Sequence, residues 1–314
     1  MASIETLATR LSALLDGARI DDLGRLSGGA SRDTFRFSAD GRQLVLQRQR
    51  PGATNDMGLE AAVVRAARLA GVDVAEVVAA STDHAALGAP YLIMEAVAGE
   101  TIARKILRDD DFAVARQRLT GQWAQALARL HAMPDDGLTG LVASDPLAQW
   151  RDTLDVLGQP HPTFELALRW LDAHRPPPRS PVVVHGDFRL GNMIIGPDGL
   201  RAVIDWELAH LGDPAEDLGW LCVKAWRFGS RLPVAGVGEY DPLLGAYAAA
   251  GGSNIDRETL RWWEVLGTLK WGVMCILQTT AHLSGMSRSH ELAAIGRRVC
   301  ENEHDLFLVL QGAW

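Results

Sequence analysis

The sequence predicts an α+β chain of two lobes, a small β-rich N-terminal lobe followed by a larger helical C-terminal lobe. Three observations predict it. Five short strand signals and one strong helix signal crowd the first hundred residues behind an N-terminal helix. From Gly99 onward the apolar period is mostly helical, and one strand-rich stretch at residues 182–205 interrupts those helices. With 314 residues, 47% hydrophobic and 22% charged, the chain can bury its cores without disulfides or structural metals.

Ile4, Leu7, Leu11, Leu14 and Leu15 share one face at helical spacing. The N-terminal segment therefore reads as an amphipathic helix and not a signal peptide, having no basic leader and no continuous apolar core. Residues 21–50 read as strands: Thr34-Phe35-Arg36-Phe37 alternates, Asp40-Gly41 is a hairpin turn, and residues 43–48 return. Ahead of the hairpin, Ser27-Gly28-Gly29-Ala30-Ser31 is a small-residue loop between strands. A helix follows over residues 55–69 and stops at Gly71. Val77-Val78-Ala79 and Tyr91-Leu92-Ile93-Met94 supply two more strands. The lobes join near residues 95–99, giving units 1–97 and 98–314.

In the second unit, residues 112–131 and 164–174 carry the 3.6-residue period, and Pro176-Pro177-Pro178 ends the latter. Strands are expected at residues 182–184, 193–195 and 202–204, with a turn at Pro197-Asp198-Gly199. Asp213-Pro214-Ala215-Glu216 starts the next helix, with Asp as N-cap, Pro at N1 and Glu at N3. The best candidate for a membrane span, residues 266–277, is broken by Lys270 and falls short of ~18 residues. A soluble protein is expected.

Formal net charge is −8, and no run of Lys or Arg stands out. That argues against nucleic acid and anionic membrane surfaces as partners. Cys222, Cys275 and Cys300 are far apart and form no CxxC, the usage of a reducing compartment, so a cytoplasmic location is expected. Oligomeric state has no sequence signal.

The chemistry concentrates in VVVHGDFRLGNMIIGPDGLRAVIDWELAHLGDPAEDLGW, residues 182–220. Asp187 leaves a strand into a loop, where catalytic groups are usually mounted. Asn192 follows five residues later, and Asp205 stands on the next hairpin arm. Asn and Asp offer hard oxygens of the kind that hold Mg²⁺ together with substrate phosphates. An isolated Asp-x4-Asn is ordinary turn chemistry; the hairpin and Asp205 give it a catalytic meaning. His185 reads as a packing residue, Glu207 as either a second metal ligand or a surface carboxylate, and Asp213 and Asp217 as helix-capping and loop-fixing groups. The tryptophans, Trp262, Trp263 and Trp271 among them, read first as packing.

Asp-x4-Asn followed by an Asp on the next hairpin arm resembles the catalytic and metal loops of the protein-kinase fold. Its wording, His-Gly-Asp-x4-Asn with Ile-Asp-Trp-Glu, resembles the aminoglycoside phosphotransferase/choline kinase family. His-Leu-Gly-Asp-Pro-Ala-Glu-Asp-Leu-Gly-Trp resembles its subgroup containing kinase-like domains fused to some acyl-CoA dehydrogenases. The resemblance implies a protein-kinase-like fold and ATP- and Mg²⁺-dependent transfer of the γ-phosphoryl group to a small-molecule hydroxyl. It further implies that Asp187 takes or orients the acceptor proton and that Asn192 and Asp205 bind Mg²⁺. Ser27, Gly28, Gly29, Ala30 and Ser31 would cover the phosphates, Glu60 would be the small-lobe helix carboxylate, and the Glu95 carbonyl and Val97 N–H would read adenine.

One position departs from the pattern. Gln47 stands where a Lys or Arg is expected to pair with Glu60 and contact phosphate. Either Arg48 or Arg50 turns inward through a strand irregularity, or the nucleotide is held with less charge; strand neighbours face opposite sides, so Arg48 is not a free substitute.

Other readings fit less well. A metallophosphoesterase needs an upstream Asp-x-His and a downstream His cluster, whereas Asp83 and His84 are adjacent. A catalytically inactive nucleotide-binding module would be expected to have lost one of Asp187, Asn192 and Asp205. A protein kinase would carry a longer loop after Asp205. Residues 207–314 hold 13 Asp/Glu against 9 Lys/Arg, too mild an excess for a polycationic aminoglycoside. The subgroup resemblance points instead to a neutral or acyl-type hydroxyl compound.

Overall fold

Alternating apolar residues build the first lobe of the computed structural model, which describes residues 4–26 and 32–312. The small-residue loop at Ser27, Gly28, Gly29, Ala30 and Ser31 lies outside the described residues. The lobe runs α1 (Ile4–Leu14), β1 (Ile20–Arg25), β2 (Arg32–Ala39), β3 (Arg42–Gln49), α2 (Met57–Leu69), β4 (Val77–Ser81) and β5 (Tyr91–Glu95). Its strands form an antiparallel sheet in the order β1-β2-β3-β5-β4. Phe35, Phe37, Leu44, Leu46, Tyr91 and Ile93 point to one face, where Leu7 and Leu11 of α1 seal them. Leu92 points to the other and packs on Met57 and Ala61 of α2. Asp56 caps α2 by accepting from the Gly58 and Leu59 N–H groups at 2.9 and 3.0 Å.

The second lobe contains α3 (Ala103–Arg108), α4 (Ala113–His131), α5 (Pro146–Leu157), α6 (Pro162–Ala173), β6 (Val182–Val184), β7 (Met193–Gly196), β8 (Gly199–Val203), β9 (His210–Gly212), α7 (Ala215–Cys222), α8 (Tyr240–Ala249), α9 (Arg257–Leu283), α10 (His290–Ile295) and α11 (Arg298–Gln311). Trp123 and Leu127 of α4, Phe164 of α6 and Val265 and Leu269 of α9 meet in its core beside Phe188. The α9 helix is buried through most of its first five turns, Lys270 included. Among the described residues no helix is long and apolar enough to cross a membrane.

The linker after β5 passes close to β7. Glu100 and Ile195 exchange both backbone hydrogen bonds at 2.9 Å. Gly99 sits at φ +157, where a Cβ would lie 2.8 Å from the Ile195 carbonyl oxygen, so only glycine admits this approach.

The expected strands and main helices are present, with three additions. The α3 helix is too short to show a period, and α5 buries only Leu147 and Leu154, leaving its apolar pattern sparse. Between Asp205 and the Asp213 helix the chain makes β9, whose Leu211 pairs antiparallel with Val183 of β6.

Candidate active site

The β6 strand delivers His185, Gly186 and Asp187 into a loop fixed from three directions. His185 is fully buried between Phe188 and Trp206. Its Nδ1 accepts the Asp187 N–H at 3.2 Å, which leaves Nε2 to donate to the Ile204 carbonyl at 3.1 Å. Burial pushes its pKa below the ordinary value, so the ring is neutral and packs, as the sequence suggested. Gly186 sits at φ +75, and a Cβ there would lie 2.4 Å from the Leu208 carbonyl oxygen. The Asp217 carboxylate, from α7, accepts the His185 and Gly186 N–H groups at 2.8 and 2.9 Å. Lys270, from α9, donates to the Gly186 carbonyl at 2.9 Å. Asp217 is thus the loop-fixing group expected. Asp213 caps as expected, accepting the Ala215 N–H at 2.8 Å.

Three donors hold the Asp187 carboxylate. Trp220 Nε1 donates to Oδ1 at 2.6 Å, Arg189 Nε to the same oxygen at 3.0 Å, and Asn192 Nδ2 to Oδ2 at 2.5 Å. With its nitrogen committed to Asp187, Asn192 offers its amide oxygen as a ligand. Asp205 follows β8 at φ +68, in the left-handed region. Its carboxyl is pushed up to about 6, first by burial and further by Glu207, Asp187 and Glu60, against the pull of Arg32. Carboxylates that raise one another in this way make a place for a cation, and the Asn192 oxygen with the Asp205 carboxylate is a donor set that suits Mg²⁺.

At Gln47 the structure contradicts one of the two expectations. Arg48 and Arg50 do not turn inward. They lie on the α1 side of the sheet with Asp33, at 4.0 and 2.9 Å, and Arg48 reaches over Phe35. The cation beside Gln47 and Glu60 is instead Arg32, at the start of β2. Its Nη1 donates to Glu60 Oε1 at 2.8 Å and Gln47 Oε1 at 2.7 Å. Its Nη2 donates to Asp205 Oδ1 at 3.2 Å and Glu207 Oε2 at 2.7 Å. Glu207 Oε2 also accepts from Asn55 at 2.6 Å, so this carboxylate clasps the two lobes together, a role absent from the sequence reading. Burial raises the Glu60 pKa while Arg32 pulls it down. Glu95 ends β5 with its side chain turned to Arg42 at 2.7 Å, leaving the backbone of Glu95 and Val97 at the junction of the lobes.

Three residues that sequence reasoning missed, Lys270, Arg189 and Trp220, wall the large-lobe side. Lys270, buried at 8% exposure, lies 4.5 Å from the Trp220 ring centroid, and Arg189 lies 4.8 Å from that of Trp226. A cavity of about 310 Å³ adjoins them, lined by Pro146, Trp150, Leu208, His210 and Met274 among others. The signal for Lys270 was present: a lone cation in an apolar helix needs a buried partner. Trp220 gave none, since its partner is 33 residues away.

The family model of the phosphotransferase enzyme family (APH) matches residues 22–263, a span holding Arg32, Asp187, Asn192, Asp205, Asp217 and Trp220. The chain belongs to the phosphotransferase enzyme family. It is 28% identical over 227 residues to acyl-CoA dehydrogenase family member 10 of Mus musculus, covering 68% of this chain and 21% of that protein. It is 29% identical over 240 residues to viomycin phosphotransferase of Streptomyces vinaceus, covering 69% of this chain and 78% of that one. The matches span only 21% and 40% of the first two acyl-CoA dehydrogenase family relatives. Among solved structures, a proposed aminoglycoside phosphotransferase from Ralstonia eutropha JMP134 superposes with TM-score 0.75 at 19% identity, covering 98% of both chains. Spectinomycin phosphotransferase in complex with ADP and spectinomycin superposes with TM-score 0.70 at 13% identity, covering 97% of this chain and 98% of the other. The phosphotransferase thus has the two-lobed kinase-like fold that its sequence predicted.

Proposed function

We propose that this phosphotransferase moves the γ-phosphoryl group of ATP to a hydroxyl of a small molecule in the cytoplasm. Residues 1–97 are the nucleotide-binding lobe and residues 98–314 the catalytic and acceptor lobe. The observation that carries the reading is the meeting of Asp187, Asn192 and Asp205, with Asn192 donating to Asp187 at 2.5 Å and Asp205 titrating high beside it. The Asn192 oxygen and the Asp205 carboxylate would hold Mg²⁺, which neutralises the charge developing on the phosphates. Asp187 orients the acceptor hydroxyl and takes its proton. Its three donors keep that carboxylate from rotating, so catalysis is mostly positioning. The Glu95 carbonyl and Val97 N–H read the adenine edge.

The acceptor is a neutral or acyl-type hydroxyl compound. Aromatic faces attract ammonium groups, but here Lys270 and Arg189 already occupy the Trp220 and Trp226 rings. A polycation would meet like charge there. The adjoining cavity sets Pro146, Trp150, Leu208 and Met274 beside polar Ser144, Gln149 and His210 and the charged pair Glu216 and Lys270, a wall suited to a hydroxyl compound with an apolar part.

A screen of hydroxylated metabolites for Mg²⁺-dependent ADP release tests the reading. At least one neutral or acyl compound should release ADP in step with a phosphorylated product. Tight binding of Mg·ATP with no acceptor-dependent ADP release would instead favour an inactive nucleotide-binding module, and release driven only by aminoglycosides would overturn the acceptor class.

A further inference from the structure

Arg32 of β2 reaches to Gln47, the β3 position where the family resemblance leads one to expect a cation. Residues of β2 and β3 pair antiparallel, with Arg32 opposite Gln49 and Thr34 opposite Gln47. Arg32 and Gln47 therefore share a sheet face as diagonal neighbours, about 7–8 Å apart, which a long side chain spans. The Arg32 guanidinium reaches across Gln47 to Glu60, the carboxylate that a cation on β3 would have paired. Gln47 supplies an acceptor to it instead of a competing charge.

Resting on the proposed ATP-dependent reaction, we infer that Arg32, from β2, is the residue of this enzyme that contacts the ATP phosphates. Its four acceptors are not equivalent. Charge-assisted N–H···O⁻ bonds are usually 2.7–2.9 Å long. The bonds to Glu60, Glu207 and Gln47 fall at 2.7–2.8 Å, but the one to Asp205 is 3.2 Å. The loose contact is the one exchanged. With Mg·ATP bound, Nη2 would exchange Asp205 for a phosphate oxygen, and the freed Asp205 carboxylate would be one of the groups able to hold Mg²⁺. The other three bonds keep the guanidinium in place. The planar fork of an arginine can serve four acceptors at once, as a lysine ammonium with three donors cannot.

Transposing the charge tests this. Arg32→Gln, Gln47→Arg and the double variant are compared with the full wild-type chain by calorimetric titration of Mg·ATP and of adenosine at one salt concentration, with melting temperature recorded alongside. Arg32→Gln should weaken Mg·ATP by at least ~10-fold while leaving adenosine within ~2-fold, because one charge-assisted bond to phosphate is lost. The double variant, with its cation placed on β3, should recover most of that loss. A residue that merely clasps the lobes would lower the affinity for both ligands alike, and that result overturns the inference. So does a double variant that folds as wild type yet binds Mg·ATP no better than Arg32→Gln. If Arg32→Gln does not fold, Arg32→Lys is read the same way: selective weakening of Mg·ATP supports the role, and equal weakening removes it. Wild-type chain that binds no Mg·ATP would sink the nucleotide-dependent reading itself, a distinguishable failure.

Discussion

The indole N–H of Trp220 donates to Oδ1 of Asp187 at 2.6 Å, joining α7 to the loop that follows β6. The same ring lies under the Lys270 ammonium, which in turn holds the Gly186 carbonyl. One side chain thus supports the loop from beneath and aims its carboxylate.

Trp220→Phe removes the donor and keeps an aromatic face for Lys270. Losing one hydrogen bond to a charged group should lower kcat by about 10-fold, with Mg·ATP affinity unchanged. Steady-state kinetics beside calorimetry on the same preparation would check it. An unchanged kcat would mean that the indole only packs.

Asp187→Asn keeps the shape of the side chain but loses its charge and its proton affinity. Its amide nitrogen also cannot accept from Asn192, Arg189 and Trp220 as two carboxylate oxygens do. Turnover should fall by about 10² or more while nucleotide binding survives. Near-normal turnover on a verified acceptor would remove Asp187 from its role.

The catalytic hairpin was legible because its parts are close in sequence. Asp187 follows β6, Asn192 precedes β7 and Asp205 follows β8, all within nineteen residues, and Asp217 could be read as a loop-fixing group from its own helix start. Arg32 was hidden for a definite reason. A strand read along the chain reveals which residues alternate, so Gln47 stood out and Arg48 was seen to face away. It does not reveal the diagonal neighbour on the next strand, which depends on the register of β2 against β3. Trp220 was hidden in the same way, 33 residues from its partner, and for Lys270 the sequence signalled a buried partner but not which one, since Gly186 lies 84 residues away. Short elements such as α3 and β9 had too few residues to display a period.

The buried Asp217 carboxylate makes an acid-limb prediction. Burial raises its pKa, but hydrogen bonds from His131 and the His185 amide outweigh that and hold it below the ordinary 3.8. Between that ordinary value and the lower folded one, the unfolded chain binds more protons than the native state, so stability rises with pH there. It is fully present above 3.8 and lost as the pH falls through the folded value. Asp217→Asn keeps one acceptor for two amides, and should cost about 1–3 kcal/mol at neutral pH. Melting curves from neutral pH downward should show a lower plateau and a flatter acid limb than wild type. A parallel pair of curves would show that Asp217 contributes nothing to acid unfolding.

The Asp205 carboxyl is shifted upward where that of Asp217 is shifted down, so its loss on acidification comes at higher pH, and its backbone chooses the substitution. At φ +68, alanine would add strain, whereas asparagine tolerates the left-handed region and keeps the side-chain shape. Asp205→Asn should therefore fold as wild type and lose most of the Mg²⁺ dependence of ATP binding. In the wild type the carboxyl is protonated below about 6, so protons compete with the cation and Mg²⁺-dependent affinity should fall as the pH drops through that value. Protonation of ATP itself weakens binding in both proteins and cancels in the ratio of their affinities. That ratio should be large at pH 8 and shrink toward one near pH 5, measured by titrating ATP with and without Mg²⁺. A ratio that stays constant across the range would place the titrating group elsewhere, and an unchanged magnesium dependence in the variant would take Asp205 out of the metal site.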